Sequence, residues 1–432
     1  MNSSLWIQKD RNRPDLLCGR PADYLIQEDH FPILVCFIVT LGGLLRICLK
    51  NSEGIALTIL SLSGFVIGQL AYNFVEVHQI VSPLLRTPSF SLYSYFSPLI
   101  IFMAALDVDF HVLKNAFWKV LLTGLISFFT SLIIIECVVL KVNKDSWDLQ
   151  SCLLFSFTLS FTDPLHSVNL LKTIGISKMF ADIIRGESLI TCGIISIIFG
   201  IFRSNAVSIS LFMEPHIVTG LGLNVCGSII CGYCCARIMQ TIWTDLFNTM
   251  LTNIILCFSM VYMTFYMAEL LGMSGIVALA TAGLNLDSLS FKPRTEFIIT
   301  KYLLMFATVY QHLIYTFFGI VIGCGEIKHY RFNTIVFIFI LFVVVNMTRM
   351  LAILLVSPIL KRSSYEYNWR WGIILAWSGI KGVFSLLLAP DVYNLSEHKV
   401  DAPQMFIVYV QVISLLTMGI NSYMMTQSAR TL

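Results

Sequence analysis

Two carboxylates stand where a chain this apolar should hold none. Asp163 interrupts the run Phe155–Phe199 within Thr162-Asp163-Pro164, and Glu187 follows in Gly186-Glu187-Ser188. A charge at the centre of a bilayer costs at least ~2.5–3.5 kcal/mol, so such a residue usually has a task or a partner. Pro164 lacks an N–H and disfavours helix at the residue before it. A broken helix at membrane depth is tolerated only inside protein or beside a water-filled cavity. A carboxylate at such a break is the pattern expected of an ion site in a secondary transporter.

Near the other end, Trp377-Ser378-Gly379-Ile380-Lys381-Gly382 is a second apolar run interrupted by small residues and one charge. Paired interrupted helices in two halves point to a transporter site and to inverted repeats. Exposed half-helix ends carry partial charges, positive at N–H ends and negative at C=O ends. Asp163 and Lys381 have the signs to offset them. Arg349 lies deep in another apolar run and cannot be deprotonated. Without a carboxylate it would be severely costly, and Glu187 is the expected partner.

These residues need a membrane fold around them. Of 432 residues, 57% are hydrophobic and only 12% charged, and mean hydropathy is +0.80. Soluble proteins carry about 25% charged residues, so the composition reads as an integral membrane protein. The net charge of +3 gives no support for nucleic-acid binding. No phosphate loop, zinc set or Ser-His-Asp arrangement supports an enzyme. Most of the 12 cysteines lie in apolar runs, where cysteine behaves as a small hydrophobe. Cys231, Cys234 and Cys235 form C-x-x-C-C, but no histidine or second C-x-x-C lies nearby. Packing or palmitoylation fits them better than zinc.

Apolar segments lie near 31–49, 54–73, 91–110, 115–139, 149–172, 181–202, 216–240, 244–266, 270–288, 297–323, 332–358, 368–390 and 403–425. Each approaches the ~20 residues needed to span, giving about thirteen transmembrane helices in an all-α polytopic protein. One face collects Arg46, Lys50, Lys172, Lys178 and Arg185 among others; the poorer face holds Lys141, Lys144, Arg203 and Lys328. The richer face is expected to be cytoplasmic, which puts the N-terminus outside and the C-terminus inside. Asn394-Leu395-Ser396 and Asn2-Ser3-Ser4 then become external glycosylation sequons, whereas Asn346-Met347-Thr348 lies mid-span and should stay bare. The expected organisation is a polar extracellular tail over 1–30, a transmembrane domain over 31–425 and a short cytoplasmic end over 426–432 with no regulatory domain.

The motifs resemble the sodium/proton exchangers of the monovalent cation:proton antiporter superfamily. The markers are Thr162-Asp163-Pro164, Leu170-Leu171-Lys172, Gly186-Glu187-Ser188-Leu189, Met267-Ala268-Glu269-Leu270-Leu271, Ser274-Gly275-Ile276, Lys301-Tyr302, Arg349 and Gly379-Ile380-Lys381-Gly382. Each is weak alone; their order and spacing together are specific and cover nearly the whole chain. Pro98-Leu99-Ile100-Ile101-Phe102 and Leu106-Asp107-Val108-Asp109-Phe110 lean toward the sperm-type branch. Full-length members of that branch carry further domains after the exchanger, and the present chain reads as the exchanger module alone or a short isoform.

The resemblance implies two crossing broken helices, a homodimer in membrane lipid, and an elevator-like motion of a core bundle that includes 149–202 and 332–425. It implies no cofactor, with Na+ and H+ as the transported ions, a plasma-membrane location and a role in pH and sodium regulation. Asp163 is expected to line the cation site with Thr162, Ser188, Thr191 and Cys192. Glu187 and Arg349 are expected to form a structural ion pair, and Lys381 to compensate a helix break.

One departure bears on the chemistry. The family places Asn-Asp directly after Gly-Glu-Ser-Leu-x, and that aspartate is its principal ion-carrying group. Here the positions hold Thr191 and Cys192. Sodium prefers oxygen ligands, and a thiol is soft. Gln311 stands where relatives often have a carboxylate, and His166 after Pro164 is unusual. His166 reads as a satisfied polar residue rather than a pH sensor, and Glu269 as an interfacial residue without special role. Two functions therefore compete. One is a Na+/H+ antiporter working through Asp163. The other is an exchanger-fold module that does not transport by itself and serves as a dimeric scaffold or sensor.

Overall fold

The computed structural model describes residues 31–49, 53–143, 147–175, 177–205, 215–245, 250–286, 293–325, 332–361, 369–395 and 404–430. The tail over 1–30 with Asn2, the sequon residue Ser396, and the loop cations Lys50, Lys144 and Lys328 lie outside them.

The described residues form helices joined by short connections, with no strand among them. In chain order they are α1 (Phe31–Cys48), α2 (Glu53–Asn73), α3 (Val75–Arg86), α4 (Ser89–Leu106), α5 (Phe110–Asn143) and α6 (Leu149–Ser160). Then come α7 (His166–Ile174), α8 (Lys178–Asn205), α9 (Pro215–Asp245), α10 (Met250–Leu270), α11 (Gly275–Asn285) and α12 (Pro293–Gly323). The chain closes with α13 (Phe332–Lys361), α14 (Trp369–Trp377), α15 (Val383–Leu395), α16 (Gln404–Leu416), a π-turn over Thr417–Asn421 and α17 (Ser422–Arg430).

Among the described residues 10 helical stretches are long and apolar enough to cross a membrane. Shorter apolar helices lie at Leu149–Ser160, Gly275–Asn285 and Val383–Val392. Together they account for the apolar segments of the sequence, and the two interrupted segments are the ones that break. α3 was not expected: it is a 12-residue amphipathic helix that buries Val81, Leu84 and Leu85 and leaves its polar side out. The second apolar run also begins earlier than its pattern suggested. α8 starts at Lys178, three residues before the segment expected at 181–202, so Glu187 sits more than two turns inside it.

The tightest crossing joins α2 to α12. A Cβ on Gly64 or Gly68 would strike the carbonyl oxygens of Thr316 or Ile320, and one on Gly319 or Gly323 would strike those of Ser61 or Phe65. Both helices therefore present Gly-x-x-x-Gly, and their backbones touch. Gln69 spans the contact, its Nε2 donating to Gly323 O at 2.6 Å. This pair packs beside α4 and the broken helices, giving them a rigid wall.

Each break has a local cause. α6 stops at Ser160, and Phe161 turns extended; Pro164 cannot supply the N–H that would continue the helix. α7 then runs only nine residues and ends on Gly175 at φ +87°, a left-handed cap that glycine adopts without strain. α14 ends at Trp377, and Ser378–Gly382 is non-helical before α15 begins.

Candidate functional site: the crossing of two broken helices

The two breaks meet. Asp163 N donates to Ile380 O at 2.9 Å, tying one unwound segment to the other. Gly382 makes the approach possible, because a Cβ there would fall on the Asp163 carboxyl group. Gly379 plays the same part toward Arg349, whose Cγ would lie 2.9 Å from an added Cβ.

Asp163 is fully buried. Its Oδ2 accepts from His166 N at 2.9 Å and Leu165 N at 3.3 Å, capping the start of α7. A carboxylate there complements the exposed N–H groups and the positive end of the helix dipole. Its Oδ1 has no hydrogen-bond partner among the described residues. Lys381 does the converse: its Nζ donates to Phe161 O at 2.6 Å, at the carbonyl end of α6. The break is held from the other side as well. Lys381 N donates to Thr417 Oγ1 at 3.1 Å, and Ser414 Oγ donates to Lys381 O at 2.9 Å. Thr417 opens the π-turn of the last span, and a π-turn inside an α-helix frequently marks a functional position.

The remaining candidate residues come from α8. Thr162 Oγ1 and Ser188 Oγ share a hydrogen bond of 2.8 Å. Thr191 Oγ1 donates back to Ser188 O at 2.9 Å. Cys192 is buried, and its Sγ reaches Thr162 O at 3.8 Å. Asp163, Thr162, Ser188, Thr191, Cys192 and Lys381 are thus assembled around one crossing. Asp163 Oδ1 and the hydroxyl and carbonyl oxygens beside it are the hard-ligand inventory; the thiol is soft.

Glu187 and Arg349 form a two-pronged ion pair: Arg349 Nη2 donates to Glu187 Oε2 at 3.0 Å, and Nη1 bonds Oε1. Nη1 also reaches Ser127 Oγ at 2.5 Å, and Nε reaches Leu375 O at 3.4 Å. The pair joins α5, α8, α13 and the end of α14. A bidentate, further hydrogen-bonded geometry is what allows a buried pair to offset its desolvation.

Other groups stand apart. His166 is buried, with Nε2 3.3 Å from Ser422 Oγ. Gln311 is buried in α12 with its Nε2 unpartnered among the described residues. Glu269 has a task after all: its Oε1 accepts from Gly275 N at 3.0 Å at the start of α11. Asn346 is inside the bundle, bonded to Asn421 at 2.8 Å, whereas Asn394 is exposed and donates to Ser89 Oγ at 2.9 Å.

Two charge clusters escaped the sequence reading, which placed their arginines in loops. Arg185 is fully buried in α8, and Asp107, just past α4, bonds Arg185 Nη1 and Lys172 Nζ at 2.5 Å each. At the opposite end of α4, Asp391 binds Arg203 and accepts from Ser89 Oγ. Acid–base pairing of residues far apart in sequence carries no local pattern. The available signal was Asp107 and Arg185 each bordering an apolar run.

Comparison with known proteins identifies the architecture. A pattern describing the transmembrane part of sodium/hydrogen exchangers matches residues 34–427. The chain belongs to the sodium/hydrogen exchanger family. It is 71% identical over 432 residues to Sodium/hydrogen exchanger 11 of Homo sapiens, covering all of this chain and 38% of that protein. It is 29% identical over 374 residues to Solute carrier family 9 member C1 of Mus musculus, covering 85% of this chain and 32% of that one. The chain therefore spans about a third of the length of these exchanger relatives. A structure of the sodium proton antiporter MjNhaP1 from Methanocaldococcus jannaschii at pH 8 superposes with TM-score 0.64 at 18% identity, over 93% of this chain and 98% of that one. A second structure of MjNhaP1 gives TM-score 0.69 at 17% identity, over 94% and 98%. The exchanger fold is thus shared by chains with little sequence in common.

Proposed function

We propose that this exchanger-family chain is a secondary antiporter module that exchanges Na+ for H+ through Asp163. The carrying observation is the state of that carboxyl group: one oxygen caps α7 and the other, buried at the crossing, is unspent. A carboxylate with one free oxygen can hold either a proton or a cation, and two broken helices supply carbonyl and hydroxyl oxygens around it. Thr162, Ser188 and Thr191 provide the neighbouring oxygens. Glu187–Arg349 fixes the scaffold, and Lys381 stabilises the α6 end. The homodimer, the plasma-membrane location, the role in pH and sodium regulation and glycan attachment at Asn394 belong to the same reading. So does the division into a moving core, with 149–202 and 332–425, and the helices that flank it.

A second reading rests on Cys192. Its thiol contacts Thr162 O, at the position where the resemblance expects the family's ion-carrying aspartate. A soft, uncharged group there favours a module that does not transport by itself and acts as a dimeric scaffold or sensor.

Na+-gradient-driven proton flux in proteoliposomes separates the two. Native flux abolished by Asp163→Asn supports an antiporter working with one site carboxylate. A silent native chain that gains flux when Thr191→Asn and Cys192→Asp are combined supports the second reading.

A further inference from the structure

Charges inside the bundle are almost all accounted for. Glu187 faces Arg349, Asp107 faces Arg185 and Lys172, and Asp391 faces Arg203. Asp163 and Lys381 flank the crossing with opposite signs, so the site as a whole is close to neutral. A neutral site attracts a cation poorly, because its two fields cancel with distance.

Glu136 of α5 has no such cationic partner. It interrupts Leu132-Ile133-Ile134-Ile135-Glu136-Cys137-Val138-Val139, in the middle of apolar sequence. Both of its carboxylate oxygens are buried and have no hydrogen-bond partner among the described residues. An unpaired ionisable group inside a span marks a functional position by default.

Its surroundings are specific. α5 runs antiparallel to α6, with Phe128 and Phe157 stacked at 6.1 Å. That register brings Glu136 to Ser156 and Cys152 on α6. Ser156 Oγ donates to Cys152 O at 2.9 Å, and Ser160 Oγ donates to Ser156 O at 2.6 Å. Ser160 spends its hydrogen on its own helix, so its hydroxyl oxygen remains an acceptor, and the Ser156 hydroxyl lies beside the Glu136 carboxylate. Cys152, Ser156 and Ser160 recur at four-residue steps on one face of α6, and Thr162-Asp163 follows directly. One helical turn of α6, about 6 Å, and the unwound residues after Ser160 separate Ser156 from Asp163. Hydroxyl oxygens in a row, headed by a carboxylate that no cation faces, suit a small cation or a proton and repel an anion.

No ion pair holds Glu136 among the described residues. On α6, Cys152 lies near it, and Asp148 lies near Cys152. On α8, Glu187, Arg185 and Arg203 are committed to Arg349, Asp107 and Asp391, while Lys178 and Asp182 lie beside each other near the start of that helix. On α13, Arg349 is committed to Glu187.

We propose that Glu136 is a second exchangeable carboxylate of this chain, taking a proton or a monovalent cation such as Na+ on the side of the crossing away from Lys172 and Arg185. The inference rests on the transport reading for its role in flux, but binding at Glu136 is testable without it. A proton leaves the carboxyl group as the cation enters, so charge at the residue is conserved.

The test is carbodiimide labelling of the full chain in detergent, mapped by mass spectrometry, in choline chloride and in rising NaCl. Dicyclohexylcarbodiimide modifies protonated carboxyl groups in apolar surroundings. Glu136 should be modified in choline, be progressively protected by Na+, and keep that protection in Asp163→Asn. Absence of modification at acidic pH, or modification indifferent to Na+, overturns the proposal. In proteoliposomes, Glu136→Gln should raise the half-saturating Na+ concentration by about tenfold while the melting temperature stays near native; an unchanged Na+ dependence also overturns it. The labelling arm uses the native chain and is unaffected by any folding defect in the variant. Na+-protected Glu136 in a chain without native flux would sustain the cation site and reject the antiporter reading.

Discussion

A Cβ on Gly382 would fall on the carboxyl group of Asp163. The unwound segment of one broken helix is therefore shaped around the acidic side chain of the other. Gly382→Ala should displace that carboxyl group and loosen its hold on the α7 N–H groups. Over-packing of this kind costs about 1–3 kcal/mol. The expected outcome is a lower melting temperature in detergent, together with loss of any Na+-dependent stabilisation of the fold. Stabilisation by Na+ that survives at native strength would show that the crossing tolerates a wider spacing.

Breaking the Glu187–Arg349 pair should be more damaging than removing it. Arg349→Met leaves a buried carboxylate without a partner, and loss of one member of a buried pair costs about 3–5 kcal/mol. Combining Arg349→Met with Glu187→Met should recover much of that loss. Thermal unfolding of the four members of the cycle gives the coupling directly.

Asp107 gives a pH-dependent prediction. Burial pushes its carboxyl group up, but Arg185 and Lys172 outweigh burial and hold it below the usual aspartate range. A carboxylate depressed on folding contributes stability above its unfolded pKa and loses it as pH falls through the folded value. Asp107→Asn should therefore lower the melting temperature at neutral pH, and the gap to the native chain should close in acid below the ordinary aspartate range. Because Asp107 is partly exposed, screening reduces the size of the effect. A gap of constant size from neutral to acid pH would remove the ion pair as its origin.

The α2–α12 contact should not tolerate branched side chains. Gly64→Val and Gly319→Val each place atoms on a facing carbonyl oxygen, where the neighbour is backbone and cannot turn aside. Both should yield chains that elute as aggregates or melt well below native. Gly200→Val is the control, since a Cβ there meets nothing within 4 Å.

The broken helices were legible because their causes are local. Pro164 acts on its own backbone, and Asp163 and Lys381 are conspicuous in apolar sequence; that Gly379 and Gly382 make room for Arg349 and Asp163 emerges only in the packing. The partnership of Glu187 with Arg349 was legible by necessity, since an arginine inside a span has few carboxylates to choose from. The link between Asp107 and Arg185 was not. Arg185 lies near a polar hinge and reads as a loop charge, although the start of α8 at Lys178 carries it into the bundle. The amphipathic α3 was missed because its polar face lowers its hydropathy to that of a loop. Gly64-x-x-x-Gly68 and Gly319-x-x-x-Gly323 were present in the sequence, but which helices they join depends on the three-dimensional packing.

The two polar contacts at the ends of α4 have a mechanical meaning. α4 is an 18-residue rod, about 27 Å long, bound at one end through Asp107 to Lys172 of α7 and at the other through Ser89 to Asp391 of α15. Each contact therefore grips the second half of a different broken helix. A displacement of the crossing along α4 by one helical turn would pull both contacts out of reach at once, since neither hydrogen bond survives a shift of ~5 Å. The two ends of the rod would therefore release together. Such a rod is a double latch, tying the far halves of both broken helices to one strut.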